Sequence, residues 1–440
     1  MHTVSIARAL TAGGRRSDKQ PALLDLAPLL LAATVAAGPA QGQAILDAAQ
    51  SMQARGKSFA ADKGYGHLGR EAPQSYAGHL AWADFLVSEG RASHALGPAG
   101  VASRLAPYDA APYAARAAAH FWAGQGDHGR SMIDKALEMD PWSADALLTL
   151  AAALRESGDL QGEARVLKRA VAVTGGDLRV ERAAALSALR RGAEAEARVR
   201  IGKLSTAGTG VTPTLIVADV YLAARRPHAA LKVLQPAVAQ HGGDARLMRA
   251  LGRALLAAGA PPLRAAAAFR AAMNADPDDA DAAVGFALAL GSTLPDDARG
   301  AADLAVRTLS GVLDSEPGHP GALLAQAHIA RALGDPAGAQ AWVSKVPEGH
   351  PAKAEADNIR ALTRLDREDP YGAAKILREI LTRRPDMRHV RLNLALAMFK
   401  AGRSTDARKA ADQAVAGLPA GHPLVAYAQT LSGASAKGAQ

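Results

Sequence analysis

Residues 110–143 read AAPYAARAAAHFWAGQGDHGRSMIDKALEMDPWS, and this stretch sets the period of the whole chain. Its proline, Pro141, stands 34 residues after Pro107, and Pro317, Pro351, Pro385 and Pro419 follow one another at the same interval. Gly90, Gly124, Gly158 and Gly192 keep that spacing too. A fixed period in this range is the signature of a solenoid, whose units bury their apolar faces only against their neighbours. Aligned on the period, the chain contains ten units, beginning near Tyr76, Ala110, Ala144, Leu178, Val211, Ala245, Ala280, Pro320, Ala354 and Arg388.

The eighth residue of every unit is small: Ala83, Ala117, Ala151, Ala185, Ala218, Gly252, Ala287, Ala327, Ala361 and Ala395. A second small site follows at Ala95, Gly129, Ala197, Ala230, Ala339, Ala373 and Ala407, and insertions shift it to Ala265 and Ala305 in the units from 245 and 280. Glu163 breaks this second series. Two antiparallel helices approach closely only where neither carries a bulky side chain at the crossing. The intervening glycine, as in Ser157-Gly158-Asp159 and Leu333-Gly334-Asp335, caps the first helix and turns the chain. Proline near the end of a unit stops the second helix and sets up the next.

Composition agrees with closely packed helices. The 440 residues are 49% hydrophobic but only 4% aromatic, so alanine supplies most of the apolar surface. Alanine is the best helix former and admits close backbones, but it cannot fill a wide sandwich or barrel. Charged residues at 21% exclude a wholly disordered chain and a polytopic membrane protein. The net charge of +9, from 51 Lys+Arg against 42 Asp+Glu, is a mild excess that permits acidic partners without demanding nucleic acid. The absence of cysteine excludes disulfides, thiol nucleophiles, zinc-thiolate sites and a lipoprotein anchor.

The pattern resembles the tetratricopeptide repeat. Tyr113, Ala117, His120, Gly129, Ile133, Ala136 and Pro141 occupy its marker positions, and Leu251-Gly252 with Ala265, Phe269, Ala272 and Pro277 reproduces another set. The resemblance covers roughly residues 76–419. It implies an all-α, right-handed α-solenoid of about ten helix–turn–helix repeats that binds other proteins and has no enzymatic activity. Aromatic markers are mostly replaced by Ala or Leu, the units from 178 and 211 lack the closing proline, and extra residues lie around Ser292–Asp297.

Catalytic constellations are not found: HExxH, Walker and GxSxG motifs are missing from the sequence. Gly318-His319-Pro320, Gly349-His350-Pro351 and Gly421-His422-Pro423 recur at the turns between units and read as turn elements rather than metal ligands. Asp276-Pro277-Asp278-Asp279 reads as helix N-terminal charge. No cofactor and no metal are expected.

The resemblance also implies which residues line a concave groove, namely positions 2, 5, 9 and 12 of each first helix. By register these include Arg179, Arg182, Arg246, Arg249, Arg253, His328, Arg331 and Asn358. Arg246, Arg249 and Arg253 share one helix face. The expected partner is a protein, bound through an acidic or C-terminal carboxylate-bearing segment by charge-assisted hydrogen bonds. The competing reading is a solvated arginine face inflated by codon usage. The Lys/Asn pattern of the chaperone-binding carboxylate clamp is not matched. Phe121-Trp122 and Phe399 are candidate apolar anchors or core residues. Nucleic acid is disfavoured, because the arginines lack interleaved aromatic residues.

At the N-terminus, residues 1–21 read as a basic disordered segment, and 22–56 as an apolar helical segment. Within the latter, two readings stand. A basic start, an apolar run from Leu29 to Ala37 and small-residue sites near Ala40 and Ala44 resemble a secretory signal. Alternatively 24–37 and 42–54 form a degenerate first hairpin. The first favours a periplasmic or membrane-associated protein, with membrane association only through the N-terminus. It would suit an exported envelope assembly factor of a pilus, secretion or polysaccharide export machine. Residues 57–75, with Gly64, Gly66, Gly69 and Pro73, read as linker, and 420–440 as a capping helix and tail.

Overall fold

The period is written into the structure as helix starts. First helices begin at Tyr76, Ala110, Ala144, Leu178, Thr212, Ala245, Ala280, Pro320, Lys353 and Arg388, within one residue of every expected unit start. The residue just before many of them is a cap. Asp109, Asp177, Asp244 and Asp279 accept backbone N–H bonds through a carboxylate, Ser75 and Ser143 through a hydroxyl, and His319 through its ring. Such caps contribute about 1 kcal/mol each. His319 and His350 accept from Ala322 and Ala352, so both rings serve the turns they sit in.

The computed structural model describes residues 39–416, apart from 55–56, 209, 294–297, 347–349, 351 and 385–386, together with 425, 428 and 429. Among the described residues there are 22 helices and no strand. They pair into eleven hairpins. The first three are α1 (Pro39–Ala54) with α2 (Ser58–Glu71), α3 (Tyr76–Ser88) with α4 (Ala92–Leu105), and α5 (Ala110–Trp122) with α6 (Gly126–Met139). Then follow α7 (Ala144–Glu156) with α8 (Leu160–Thr174), α9 (Leu178–Arg191) with α10 (Glu194–Thr206), and α11 (Thr212–Ala223) with α12 (Pro227–Gln240). Hairpins 7 to 9 are α13 (Ala245–Ala257) with α14 (Pro262–Ala275), α15 (Ala280–Gly291) with α16 (Ala298–Ser315), and α17 (Pro320–Ala332) with α18 (Pro336–Ser344). The last two are α19 (Lys353–Asp366) with α20 (Pro370–Arg383), and α21 (Arg388–Lys400) with α22 (Ser404–Val415). No described helix is long and apolar enough to cross a membrane.

The small positions lie at the helix crossings. Ala83, Ala117, Ala185, Ala287, Ala327, Ala361 and Ala395 are fully buried, as are Ala95, Ala230, Ala265, Ala305, Ala339 and Ala373. In hairpin 7 the Phe269 ring takes the space that a side chain at Gly252 or Gly285 would occupy. A Cβ would stand 2.8 Å and 2.3 Å from it. Glu163 fits its crossing because Ser187 of the next hairpin is small and donates a hydrogen bond of 3.1 Å to the carboxylate. The turn glycines Gly90, Gly124, Gly158, Gly192, Gly259, Gly334 and Gly402 adopt the left-handed conformation. Arg225 and Glu368 adopt it too, holding the register where glycine is absent.

First helices of neighbouring hairpins touch each other directly, so they form the tighter, inner wall of the solenoid. The curvature brings distant turns together. Lys57 Nζ, in the turn of the first hairpin, meets Asp278 Oδ2 between hairpins 7 and 8 at 2.8 Å. Ser58 beside it donates to Glu89. An ion pair thus links the first hairpin to the turn between hairpins 7 and 8.

The N-terminal expectation changes. Residues 57–75 are not a linker: Ser58–Glu71 is helical and packs with Pro39–Ala54 as an additional first hairpin. The glycines that suggested a loop permit close approach instead, Gly64 against Ala49 and Gly69 against the Trp82 ring. The helix 39–54 pairs with the segment after it. Residues 1–38, with the basic segment and the signal-like apolar run, lie outside the described residues, as does most of 420–440. Within the latter, Val425, Ala428 and Gln429 are helical, and Ala428 is buried against Leu392 and Ala395 of the last hairpin.

Candidate protein-binding groove

The inner wall carries the expected cations, and a ladder of carboxylates accompanies them. Arg179 Nη1 meets Asp145 at 2.6 Å and also pairs with its own cap, Asp177. Arg253 meets Asp219 at 3.4 Å. Arg249 pairs with Asp279 at 2.9 Å and with Asp281 at 3.4 Å. Arg331 grips Asp366 through Nε at 2.6 Å and Nη2 at 3.3 Å. Arg246 pairs with its own cap Asp244 at 2.8 Å. Arg182 is exposed and makes no ion pair or hydrogen bond among the described residues.

Most of these pairs join residues 30–35 apart in sequence, one hairpin to the next. A 34-residue period stacks equal positions of successive first helices, so a charge meets its neighbour's counterpart. Asp145 and Arg179 are both second residues of their units, and Asp219 and Arg253 are both ninth. For these two pairs the signal was present in the sequence as an acid one period before the arginine.

The pairs hold their members charged. Hydrogen bonds from Arg179 keep the Asp177 carboxyl below the usual carboxylate range, and Arg246 does the same for Asp244. Asp84, ninth residue of the unit from Tyr76, has its pKa pushed up to about 6 by desolvation and then by nearby Asp145.

Towards the C-terminus the wall is polar rather than basic. Glu355 accepts from His389 at 2.9 Å and from Asn358 at 3.0 Å, and Asn393 donates to Asn358 at 2.8 Å. Burial alone would raise the Glu355 carboxyl, but these bonds bring it below its ordinary value. Burial lowers the His328 pKa, leaving the ring neutral near pH 7. Asn358 is buried, so it supports the wall and does not present itself to a ligand.

Exposure divides the remaining candidates. The side chains of Arg179, Arg246 and Arg253 are 62%, 56% and 57% exposed, whereas Arg249 is only 28% exposed and faces two carboxylates. Of the aromatic candidates, Trp122 is exposed, whereas Phe121 packs over Gly129 and Phe399 against the core of the last two hairpins.

Sequence models of the tetratricopeptide repeat match residues 218–280 and 364–431. No curated protein matches the chain. Among solved structures, yeast Tom70 is similar over 90% of this chain and 96% of its own, at 13% identity and a TM-score of 0.46. Cut9-Hcn1, described as an APC/C hetero-tetramer, is similar over 90% of each chain, at 12% identity and a TM-score of 0.43.

Proposed function

We propose that this chain, two segments of which match the tetratricopeptide repeat, is a non-catalytic scaffold that holds a partner protein segment against its inner wall. The segment is extended and acidic, or ends in a free carboxylate, and it lies along hairpins 5 to 7. The observation that carries this reading is the exposure of Arg179, Arg246 and Arg253 together with the unpaired Arg182.

A guanidinium has five N–H donors, and one carboxylate engages at most two of them. An exposed pair is worth about 0–1 kcal/mol, so an incoming carboxylate can share or replace the internal one at small cost. The ladder then serves two states. Empty, it neutralises the wall; occupied, it supplies donors already aimed into the groove. Arg249, only 28% exposed, positions the wall more than it binds.

Fluorescence anisotropy with labelled peptides tests this. Acidic peptides with free and amidated C-termini are compared with a basic control, on wild type and on the triple variant Arg182→Glu, Arg246→Glu and Arg253→Glu. Acidic peptides bind wild type and weaken about tenfold or more in the variant, with affinity falling as salt rises. Equal binding to both proteins, or preference for the basic control at the wall, sinks the proposal.

A further inference from the structure

A second surface lies on the edge of the solenoid, where the chain passes from one hairpin to the next. The turns before hairpins 3 and 4 flank a cleft of about 570 Å³ that includes Tyr108, Asp109, Asp140, Trp142 and Asp145 in its lining. Tyr108 is 91% and Trp142 61% exposed, in a chain that is only 4% aromatic. Exposing both rings costs hydrophobic free energy that nothing in the turn recovers.

The repeat supplies its own control. Each ring follows the proline of its turn, Pro107-Tyr108 and Pro141-Trp142. At the same place later in the chain stand Pro277-Asp278, Pro317-Gly318 and Pro351-Ala352. The turn therefore has no need of an aromatic residue, and two consecutive turns carry one for another purpose.

The carboxylates around the rings are short of cations. Asp109 accepts the Ala111 N–H at 3.0 Å and the Tyr76 hydroxyl at 2.6 Å, and Asp140 accepts the Trp142 N–H at 2.9 Å. Neither has an ion pair among the described residues. Asp145 meets Arg179, which Asp177 also holds. The nearby Arg169 donates to the Pro141 carbonyl at 2.6 Å and stands 5.7 Å from the Trp142 ring centre. That ring thus already serves as a guanidinium acceptor in this fold.

We propose that this cleft docks a basic side chain, arginine or lysine, presented by a partner polypeptide. The cation lies against Tyr108 and Trp142 and is met by Asp109 and Asp140, combining cation–π attraction with charge-assisted hydrogen bonds. The volume admits the side chain with its flanking backbone. The same carboxylates repel anionic headgroups, so the exposed rings are not a membrane anchor. Asp145 in the lining touches the wall through Arg179, but Asp109 and Asp140, which meet the cation, pair with none of the wall arginines among the described residues.

The test uses the full chain labelled with 5-fluorotryptophan, with the Trp142 resonance assigned through Trp142→Phe. Three short peptides are titrated, identical except for a central arginine, lysine or citrulline. Citrulline keeps the shape of arginine without its charge. The arginine and lysine peptides shift the Trp142 resonance saturably, and the citrulline peptide binds at least about tenfold more weakly. Asp109→Asn with Asp140→Asn keeps the backbone N–H bonds of both turns, reverses the Tyr76 contact so that the new amide donates to the hydroxyl, removes the charge and abolishes the difference between arginine and citrulline. The wall triple variant leaves the titration as in wild type. Equal binding of citrulline and arginine, no saturable shift, or a shift produced by anionic vesicles overturns the proposal.

Discussion

The seam between hairpins 4 and 5 and the inner wall of hairpins 5 to 7 use the same chemistry at different depths. Beside the seam, buried Glu181 on α9 accepts from Arg200 at 3.1 Å and Lys203 at 2.9 Å on α10 of the same hairpin, and across the seam buried Glu163 accepts from Ser187 and faces Arg190. On the wall, Asp219 faces Arg253 and Asp145 faces Arg179, all at least 39% exposed. Breaking a buried pair strands a charge away from water, which is expensive, whereas exposed ions fall back on solvent. Seam pairs therefore hold the packing, and wall pairs are free to exchange with a ligand.

Removing one partner from each region sharpens this difference. Arg200→Ala leaves the Glu181 carboxylate buried with Lys203 alone, and lowers unfolding stability by about 2–4 kcal/mol in a urea titration. A loss within about 0.5 kcal/mol would erase the distinction between seam and wall.

Glu316 extends the comparison to a buried carboxylate with no direct cation. It lies in the turn before hairpin 9, where burial pushes its pKa from 4.5 up to about 7. The native state keeps a proton between pH 4.5 and about 7 that the unfolded chain releases. Its contribution to stability is therefore present at acid pH and lost as pH rises through that window. Glu316→Gln raises stability at pH 8 by about 1–3 kcal/mol and changes it little at pH 4. Raised pKa values at Asp84 and Glu89 leave part of the slope in place. Parallel stability–pH curves for variant and wild type would show that Glu316 is not the titrating group.

The smallest effect belongs to the wall. Arg253→Ala changes stability by less than about 1 kcal/mol, measured by thermal melt. A larger loss would mean that the pair with Asp219 is structural and unavailable to a partner.

The groove residues were legible as a set but not in their states. The resemblance to the tetratricopeptide repeat, carried over by register, named the inward positions, and helical spacing set Arg246, Arg249 and Arg253 on one face. It did not show that Asn358 is buried, that His328 is kept neutral, or that Arg249 is held by two carboxylates. Those depend on side-chain depth and on neighbours one hairpin away. The Tyr108–Trp142 cleft escaped the sequence reading because attention to marker positions passes over turns. Its signal was present as aromatic residues where other turns carry Asp, Gly or Ala.

By itself, the sequence determined the period, the ten helical units from Tyr76 onward and the small residues at their crossings. Those features are local or repeat between neighbours, and a one-dimensional stack needs nothing more. Only the tertiary structure decided that Pro39–Glu71 forms a further hairpin and that Lys57 reaches Asp278, 221 residues away in sequence. It also decided which carboxylates are buried. These outcomes follow from curvature summed over many hairpins and from exclusion of water, and neither quantity is carried by any single repeat.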